Sequence, residues 1–269
     1  MERCAAAGEH IFLGGGARME MTAKYNIEVA SDAADLAHRA VQLFIAAAHE
    51  ALDSRGMFYT ALSGGHTPAR FFRLLANTPE VRSLPWDQIH VFWVDERYVP
   101  PDSEASNYKL AADAFLDNVS IPPANVHRIP TEYEDISEAA RTYERTIREV
   151  FGLAKGEVPE FDLIVLGMGG DGHTGSLLPN SYATFDTHDL ACVVYVLDDT
   201  TMNRITLTHP VLLAARRLVV LVSGPEKAQT LREVLTSEPD EVRYPIHVLW
   251  PVLDKMTWIV DRDAAGEIL

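Results

Sequence analysis

Apolar and polar positions along this chain follow two periods in turn, and their alternation predicts the fold. Beyond Ser31, the residues Leu36, Ala37, Ala40, Val41, Phe44, Ala47, Ala48 and Ala51 recur at spacings of three and four, which sets them on one face of a helix. The apolar run from Met57 to Leu62 reads as a buried strand. Thr67-Pro68 opens a second helix, with threonine as its N-cap and proline at its first position. Further strand-like runs cover Ile89 to Val94, Phe161 to Gly167, Ala191 to Leu197, Arg204 to Leu207, Leu218 to Val222 and Thr257 to Val260. Helical patterns lie between several of them, around Asn107 to Leu116, Ser137 to Phe151 and Pro225 to Leu235. Strands alternating with helices, and apolar on both faces, predict an α/β fold: a mostly parallel, Rossmann-like sheet with helices on both faces. No repeat, low-complexity tract or Pro/Ser-rich linker divides it, so residues 23–269 read as one domain.

The first residues stand apart from this pattern. Glu9 and His10 break any signal-peptide apolar region, and Gly14-Gly15-Gly16 reads as flexible, so residues 1–22 are expected to be a disordered or non-native lead. No apolar run approaches the ~18 residues of a membrane span. With two cysteines, Cys4 and Cys192, the chain has no disulfide framework, as expected of a cytoplasmic protein. Its 23 basic and 39 acidic residues give a formal charge of −16 without a basic run, which argues against nucleic acid and anionic membrane as partners. The same charge constrains any anionic substrate, which must be held by local positive groups. The oligomeric state is left open, and a monomer is compatible with all of this.

Chemistry concentrates in the turn Gly167-Met168-Gly169-Gly170-Asp171-Gly172-His173-Thr174, which follows an apolar strand. Its glycines allow close backbone approach to a ligand, and it delivers an acid and an imidazole together at a strand end, where open α/β sheets bind ligands. The letters also fit a dinucleotide fingerprint, but Pro179 comes too soon for more than about one helical turn, and Asp198 and Asp199 sit late for a ribose-binding acid. His173 is the best proton-transfer group, since imidazole can accept a proton from water at neutral pH. Asp171 either orients that ring or its water, or is a turn former bonding its own backbone. The Gly169–Gly172 N–H groups, Gly170 among them, are candidate donors to an oxyanion.

Ser63-Gly64-Gly65-His66-Thr67-Pro68 is a second strand–glycine–helix junction, whose free N–H groups and helix dipole suit a phosphate, with Ser63 and Thr67 hydroxyls in support. Ser223-Gly224-Pro225-Glu226-Lys227 is a third, and it sets Lys227 at a helix start, where a cation opposes the dipole unless an anion binds. Arg97 and Arg204 stand at further strand ends. Of Asp95 and Glu96, only one can reach a given pocket, because neighbours in a strand face opposite ways; an ion pair with Arg97 is the alternative for either. The chain has no G-x-S-x-G elbow, no H-E-x-x-H and no zinc-spaced cysteine pair, so no metal is expected.

Taken together, Ser63 to Pro68, Asp95-Glu96-Arg97-Tyr98-Val99-Pro100 with Ser106-Asn107-Tyr108, Gly169 to Thr174, and Arg204-Ile205-Thr206-Leu207-Thr208 with Ser223-Gly224 and Lys227 resemble the 6-phosphogluconolactonases. The likeness runs in order from Glu28 to Asp261. Glucosamine-6-phosphate deaminases share the superfamily, but typically carry tyrosine where this chain has Arg97, and Ile-Ala-Phe-Asn where it has Thr174-Gly175-Ser176-Leu177. Gly175 and Leu178 depart from the usual lactonase alanine and phenylalanine, and Met202-Asn203 from its proline-rich approach. The resemblance implies a sugar-phosphate isomerase/CoA-transferase-like fold. It also implies a hydrolase without metal or cofactor, acting on 6-phospho-D-glucono-1,5-lactone, a small-molecule sugar-phosphate lactone of the pentose phosphate pathway. His173 would deprotonate the attacking water, and Ser63, Gly64, Gly65, Arg97, Arg204 and Lys227 would hold the phosphate or adjacent hydroxyls. Competing readings are a deaminase/isomerase and a non-catalytic sugar-phosphate sensor.

Overall fold

The computed structural model describes residues 25–196 and 202–269. The proposed lead of residues 1–22 and the candidates Asp198 and Asp199 lie outside the described residues. In chain order the elements are β1 (Asn26–Ala30), α1 (Ala33–Arg55), β2 (Phe58–Leu62), α2 (His66–Asn77), α3 (Pro79–Arg82), β3 (Ile89–Trp93), β4 (Asp95–Arg97) and α4 (Asn107–Ala114). There follow β5 (Val126–His127), α5 (Ile136–Phe151), β6 (Leu163–Gly167), β7 (Ala191–Val194), β8 (Arg204–Leu207), α6 (His209–Ala214), β9 (Leu218–Val222), α7 (Ala228–Thr236) and β10 (Met256–Asp261). Among the described residues, no helix is long and apolar enough to cross a membrane.

Seven strands form one sheet in the order β1-β10-β9-β6-β2-β3-β5, with every pair parallel. From β2 the chain adds strands in one direction, to β3 and β5; from β6 it adds them in the other, to β9 and β10. The direction therefore reverses between β2 and β6, which are hydrogen-bonded neighbours, and at such a switch the two loops leaving the strand ends diverge and open a crevice. The inner strands β2, β3, β6, β9 and β10 are largely buried on both faces, as their apolar runs imply.

The expected mostly parallel α/β sheet is present, but not every predicted strand belongs to it. β7 and β8 join β4 in a separate three-stranded antiparallel sheet. Nine residues lie between β7 and β8, too few for the crossover that would bring them parallel. The structure also contains elements that the pattern did not single out: β1, the two-residue β5 and the short α3 and α6. The second helix begins one residue before its predicted N-cap. Gly65, at φ 109°, takes the cap position with no side-chain hydrogen bond, and Thr67 and Pro68 fall inside the first turn. Pro68 is tolerated there because the first N–H groups of a helix have no intrahelical partner.

Two buried contacts tie the small sheet to the large one. The Tyr143 hydroxyl on α5 accepts from the Trp93 N–H at 3.0 Å and donates to the Trp93 carbonyl at 2.6 Å. It thus fixes the end of β3 immediately before β4 begins. Glu144, the next residue of α5, accepts the Leu190 N–H at 3.0 Å and anchors the start of β7.

One buried pair makes a testable contribution to stability. His90 and His127 lie on the β3–β5 edge, Nδ1 to Nε2 at 2.9 Å, among the rings of Tyr59 and Phe92. Burial, with the neighbouring His90 charge added, pushes His127 down from 6.5 to about 4. Because the unfolded chain binds the extra proton between these values, this contribution is complete above pH 6.5 and is lost as pH falls toward 4. His127→Phe should flatten that dependence. Melting temperatures taken from pH 7 to 4.5 should show the variant gaining on the wild type as pH falls; a constant gap would exclude the effect.

Candidate active site

Three glycine turns leave neighbouring strand ends on the same edge of the sheet, and together they line one cleft of about 450 Å³. Ser63-Gly64-Gly65 follows β2, Gly167-Met168-Gly169 closes β6, and Ser223-Gly224 follows β9. The Ser63 N–H donates to the Val165 carbonyl at 3.0 Å, which locks the first turn to the strand that carries the second. The third is held from β10: Asp261 accepts the Ser223 hydroxyl and the Gly224 N–H.

The second turn carries the acid and the imidazole. Asp171 Oδ1 lies 2.6 Å from His173 Nδ1 and accepts the His173 N–H at 3.2 Å, so one carboxylate both shapes the turn and orients the ring. The two readings left open for Asp171 hold together. Burial alone would raise this carboxyl, but the His173 hydrogen bond and charge, with backbone N–H donors, outweigh it and hold Asp171 at about 2. An ionised carboxylate only accepts, so His173 carries its proton on Nδ1 and keeps the lone pair on Nε2. The pair folds back onto Gly169, where a Cβ would stand 2.2 Å from His173 Nδ1 and 2.6 Å from Asp171 Oδ1. Only glycine leaves that space.

The expected row of free N–H groups in this turn is shorter than predicted. The Gly169 N–H donates to the His173 carbonyl and the Gly172 N–H to the Gly169 carbonyl, because the turn closes on itself. Gly170 and Asp171 are exposed and do not line the cleft.

Positive charge gathers in the same cleft. Arg97 and Arg204 are directly opposed in the β4–β8 register, and Lys227 caps α7 nearby; all three line the cleft. Like charges opposed across strands are unfavourable unless something neutralises them. Arg97 is not paired with Asp95 or Glu96; its guanidinium donates to the Ala105 carbonyl at 2.9 Å. Burial lowers the Arg204 pKa, with the Asp95 and Asp171 charges opposing and Arg97 adding to the effect. Among the described residues, Ser63 Oγ, Asn107 Oδ1 and Arg204 Nε are buried without a hydrogen-bond partner. Buried polar atoms are rarely left so, and three in residues lining one cleft mark it as a site for a polar ligand.

Ser63, Gly64, Gly65, Thr67, Arg97, His173, Arg204 and Lys227 are thus brought to one cleft, as the sequence predicts. Arg70, Asp95 and Asn107 line it too and were not assigned roles. Asp95 faces the cleft and accepts the Ser176 hydroxyl at 2.6 Å, and Arg204 reaches the same hydroxyl at 3.5 Å. Glu96 faces the other way, as strand alternation requires. It accepts the Arg97, Asn107 and Tyr108 N–H groups and the Ser106 hydroxyl, although burial raises its pKa. That grip on the start of α4 sets Asn107, whose amide donates to the Asp95 carbonyl at 2.8 Å. Asn107 stood in a quoted motif, and Arg70 lies one turn past His66; neither signal by itself separates a lining residue from a surface one. Among the described residues, no group of three or more His, Cys, Asp or Glu side chains is arranged to hold a metal ion.

The profile of the family described as glucosamine-6-phosphate isomerases/6-phosphogluconolactonase matches residues 31–258. The 6-phosphogluconolactonase of Nostoc sp. is 37% identical over 245 residues, covering 91% of this chain and 99% of that protein. That of Synechocystis sp. is 41% identical, covering 82% and 88%. Among solved structures, the 6-phosphogluconolactonase from Trypanosoma cruzi superposes with a TM-score of 0.79 at 28% identity over 91% of this chain and 97% of that one. The one from Thermotoga maritima gives 0.74 at 29% over 88% and 99%.

Close packing at the cleft floor predicts a specific conflict. A Cβ on Gly64 would stand 1.9 Å from Asn107 Oδ1 and 2.3 Å from its Cγ. Gly64→Ala should therefore destabilise the fold by about 1–3 kcal/mol. Asn107→Ala in the same chain should recover part of the loss, making the pair non-additive. Urea melts of the two single variants and the double variant test this; strict additivity would mean the two residues do not press on each other.

Proposed function

Because this chain belongs to the glucosamine-6-phosphate isomerase/6-phosphogluconolactonase family, we propose that it hydrolyses 6-phospho-D-glucono-1,5-lactone to 6-phospho-D-gluconate, the lactonase step of the pentose phosphate pathway. The observation that carries this reading is the opposition of Arg97 and Arg204 in the cleft that Lys227 and the Asp171-bound His173 also line. In a protein of net charge −16, three clustered cations answer an anionic group. A neutral imidazole with its proton held on Nδ1 answers a water.

His173 Nε2 takes a proton from that water as its oxygen bonds to the lactone carbonyl carbon. The carbonyl oxygen gains negative charge in a cleft whose cations and low local dielectric favour it. As the tetrahedral intermediate collapses, the bond from carbon to ring oxygen breaks, and the imidazolium returns its proton to that oxygen. The product is the open-chain acid. Asp171 stays ionised throughout and balances the imidazolium, which is the species formed at the top of the barrier. At the other end of the substrate, Ser63, Gly64, Gly65 and Thr67, at the start of α2, receive the phosphate or its neighbouring hydroxyls together with Arg97, Arg204 and Lys227. Water supplies the only added atoms and no electrons are transferred, so the reaction written here calls for no cofactor.

The first test is hydrolysis of the phospholactone above its spontaneous rate, read as acid release at constant pH. Absence of acceleration would overturn the assignment, and ammonia release from glucosamine-6-phosphate would replace it with deamination. His173→Ala should lower kcat by about 10²–10⁴-fold while leaving the melting temperature close to wild type.

A second test separates the phosphate site from the base. Lost binding energy from a remote phosphate appears in kcat/KM, so unphosphorylated glucono-1,5-lactone should be a far poorer substrate. Arg97→Ala should depress kcat/KM for the phospholactone about 10- to 100-fold more than for the plain lactone, the scale of a charge-assisted hydrogen bond. Equal losses on both would make Arg97 structural.

A further inference from the structure

The turn that carries His173 is gripped from behind by the helix that carries Lys227. Thr230 lies three residues after Lys227, so the two share one face of α7. Thr230 Oγ1 donates to the Gly170 carbonyl at 2.6 Å. The Lys227 ammonium lies 3.6 Å from the place a Cβ on Gly170 would occupy. One helix face therefore meets the same glycine with a hydroxyl and a cation. Among the described residues, the Thr230 hydroxyl is the one hydrogen-bond donor to that carbonyl. A peptide unit is planar and trans, so holding the Gly170 carbonyl toward α7 turns the Asp171 N–H the opposite way and sets where Asp171 begins. Asp171 in turn holds the imidazole at 2.6 Å.

We propose that Thr230 is a positioning residue that couples an anion bound at Lys227 to the geometry of the Asp171–His173 pair. The inference rests on the lactonase reading above. An anion seated against Lys227 and the start of α7 restrains that helix, and the Thr230–Gly170 hydrogen bond carries the restraint to the peptide before Asp171. The substrate's phosphate, remote from the bond that breaks, thereby sharpens the alignment of the base, one route by which binding energy appears as kcat. Thr230 touches neither the water nor the lactone in this scheme.

A substrate divided in two tests the coupling. The five-carbon 1,5-lactone that lacks the phosphorylated carbon supplies the reacting ring, and phosphite dianion supplies the anion. In the wild type and in Thr230→Ser, which keeps the hydroxyl, phosphite should accelerate hydrolysis of the short lactone. In Thr230→Val, which keeps the shape and removes the donor, the acceleration should fall about fivefold, the scale of one neutral hydrogen bond. The phosphite concentration giving half the effect should stay unchanged. On the intact phospholactone, the valine variant should lose kcat by a similar factor with KM nearly constant. Thr230→Ala removes the same donor and replaces the valine variant should that protein melt below the assay temperature. Equal acceleration in wild type and donor-free variants would reduce Thr230 to a structural contact and overturn the coupling. No acceleration in a wild type that does hydrolyse the phospholactone would overturn it as well and leave the lactonase reading standing. Failure to hydrolyse the intact phospholactone would remove that reading first.

Discussion

The parallel pairing of β2 with β6 is the contact on which the site depends. It sets the two strand ends side by side where the sheet reverses its direction of growth, and the Ser63 N–H to Val165 carbonyl bond extends the pairing into the first glycine turn. Helices cannot cover both diverging loops there, so a crevice opens at the strand ends. Around it the backbone presents N–H groups at the start of α2, and the edge becomes receptive to negative charge before any side chain is considered. A slip in this register would separate the turn that carries His173 from the turn at Ser63-Gly64-Gly65.

Side chains then divide the crevice by charge. Arg97, Arg204 and Lys227 come from three elements, and two of them face each other across the antiparallel β4–β8 pair. That arrangement opposes like charges across the strand pair, which is locally unfavourable. The small sheet exists to make this possible: Tyr143 and Glu144 on α5 anchor its strands, and Asp95 and Glu96 send one carboxylate into the cleft and one to the start of α4. The Asp171–His173 pair lies over Gly169 so closely that no other residue fits beneath it. The carboxylate and the imidazole are held together by the geometry of a single turn, which fixes their alignment.

Much of this was legible in the residues. The alternation of apolar runs predicted a mostly parallel sheet and most of its strands and helices, because each period reports one local geometry. The three glycine junctions announced their positions at strand ends, and the Asp171–His173 pair was legible because both residues lie within one turn of chain. Small errors came where local rules compete: Gly65 rather than Thr67 caps α2, since the chain enters the helix there at φ 109°, a conformation open to glycine and strained for other residues. The free N–H row at Gly169–Gly172 was overcounted for a similar reason, as a tight turn consumes its own donors.

What the sequence determined by itself, then, is everything that depends on near neighbours: element types, turn positions, the acid beside the imidazole and the net charge that any anion must overcome. Tertiary structure decided the rest. No local pattern states that the strand holding Arg97 pairs antiparallel with the strand holding Arg204, or that Asn107 lies against Gly64. Nor does any local pattern show that Thr230 reaches back to Gly170. These contacts join segments distant along the chain, and their register follows from how the sheets and helices pack as a whole. Periodicity reports which face of an element is buried, whereas only the packed molecule reports which other face it is buried against.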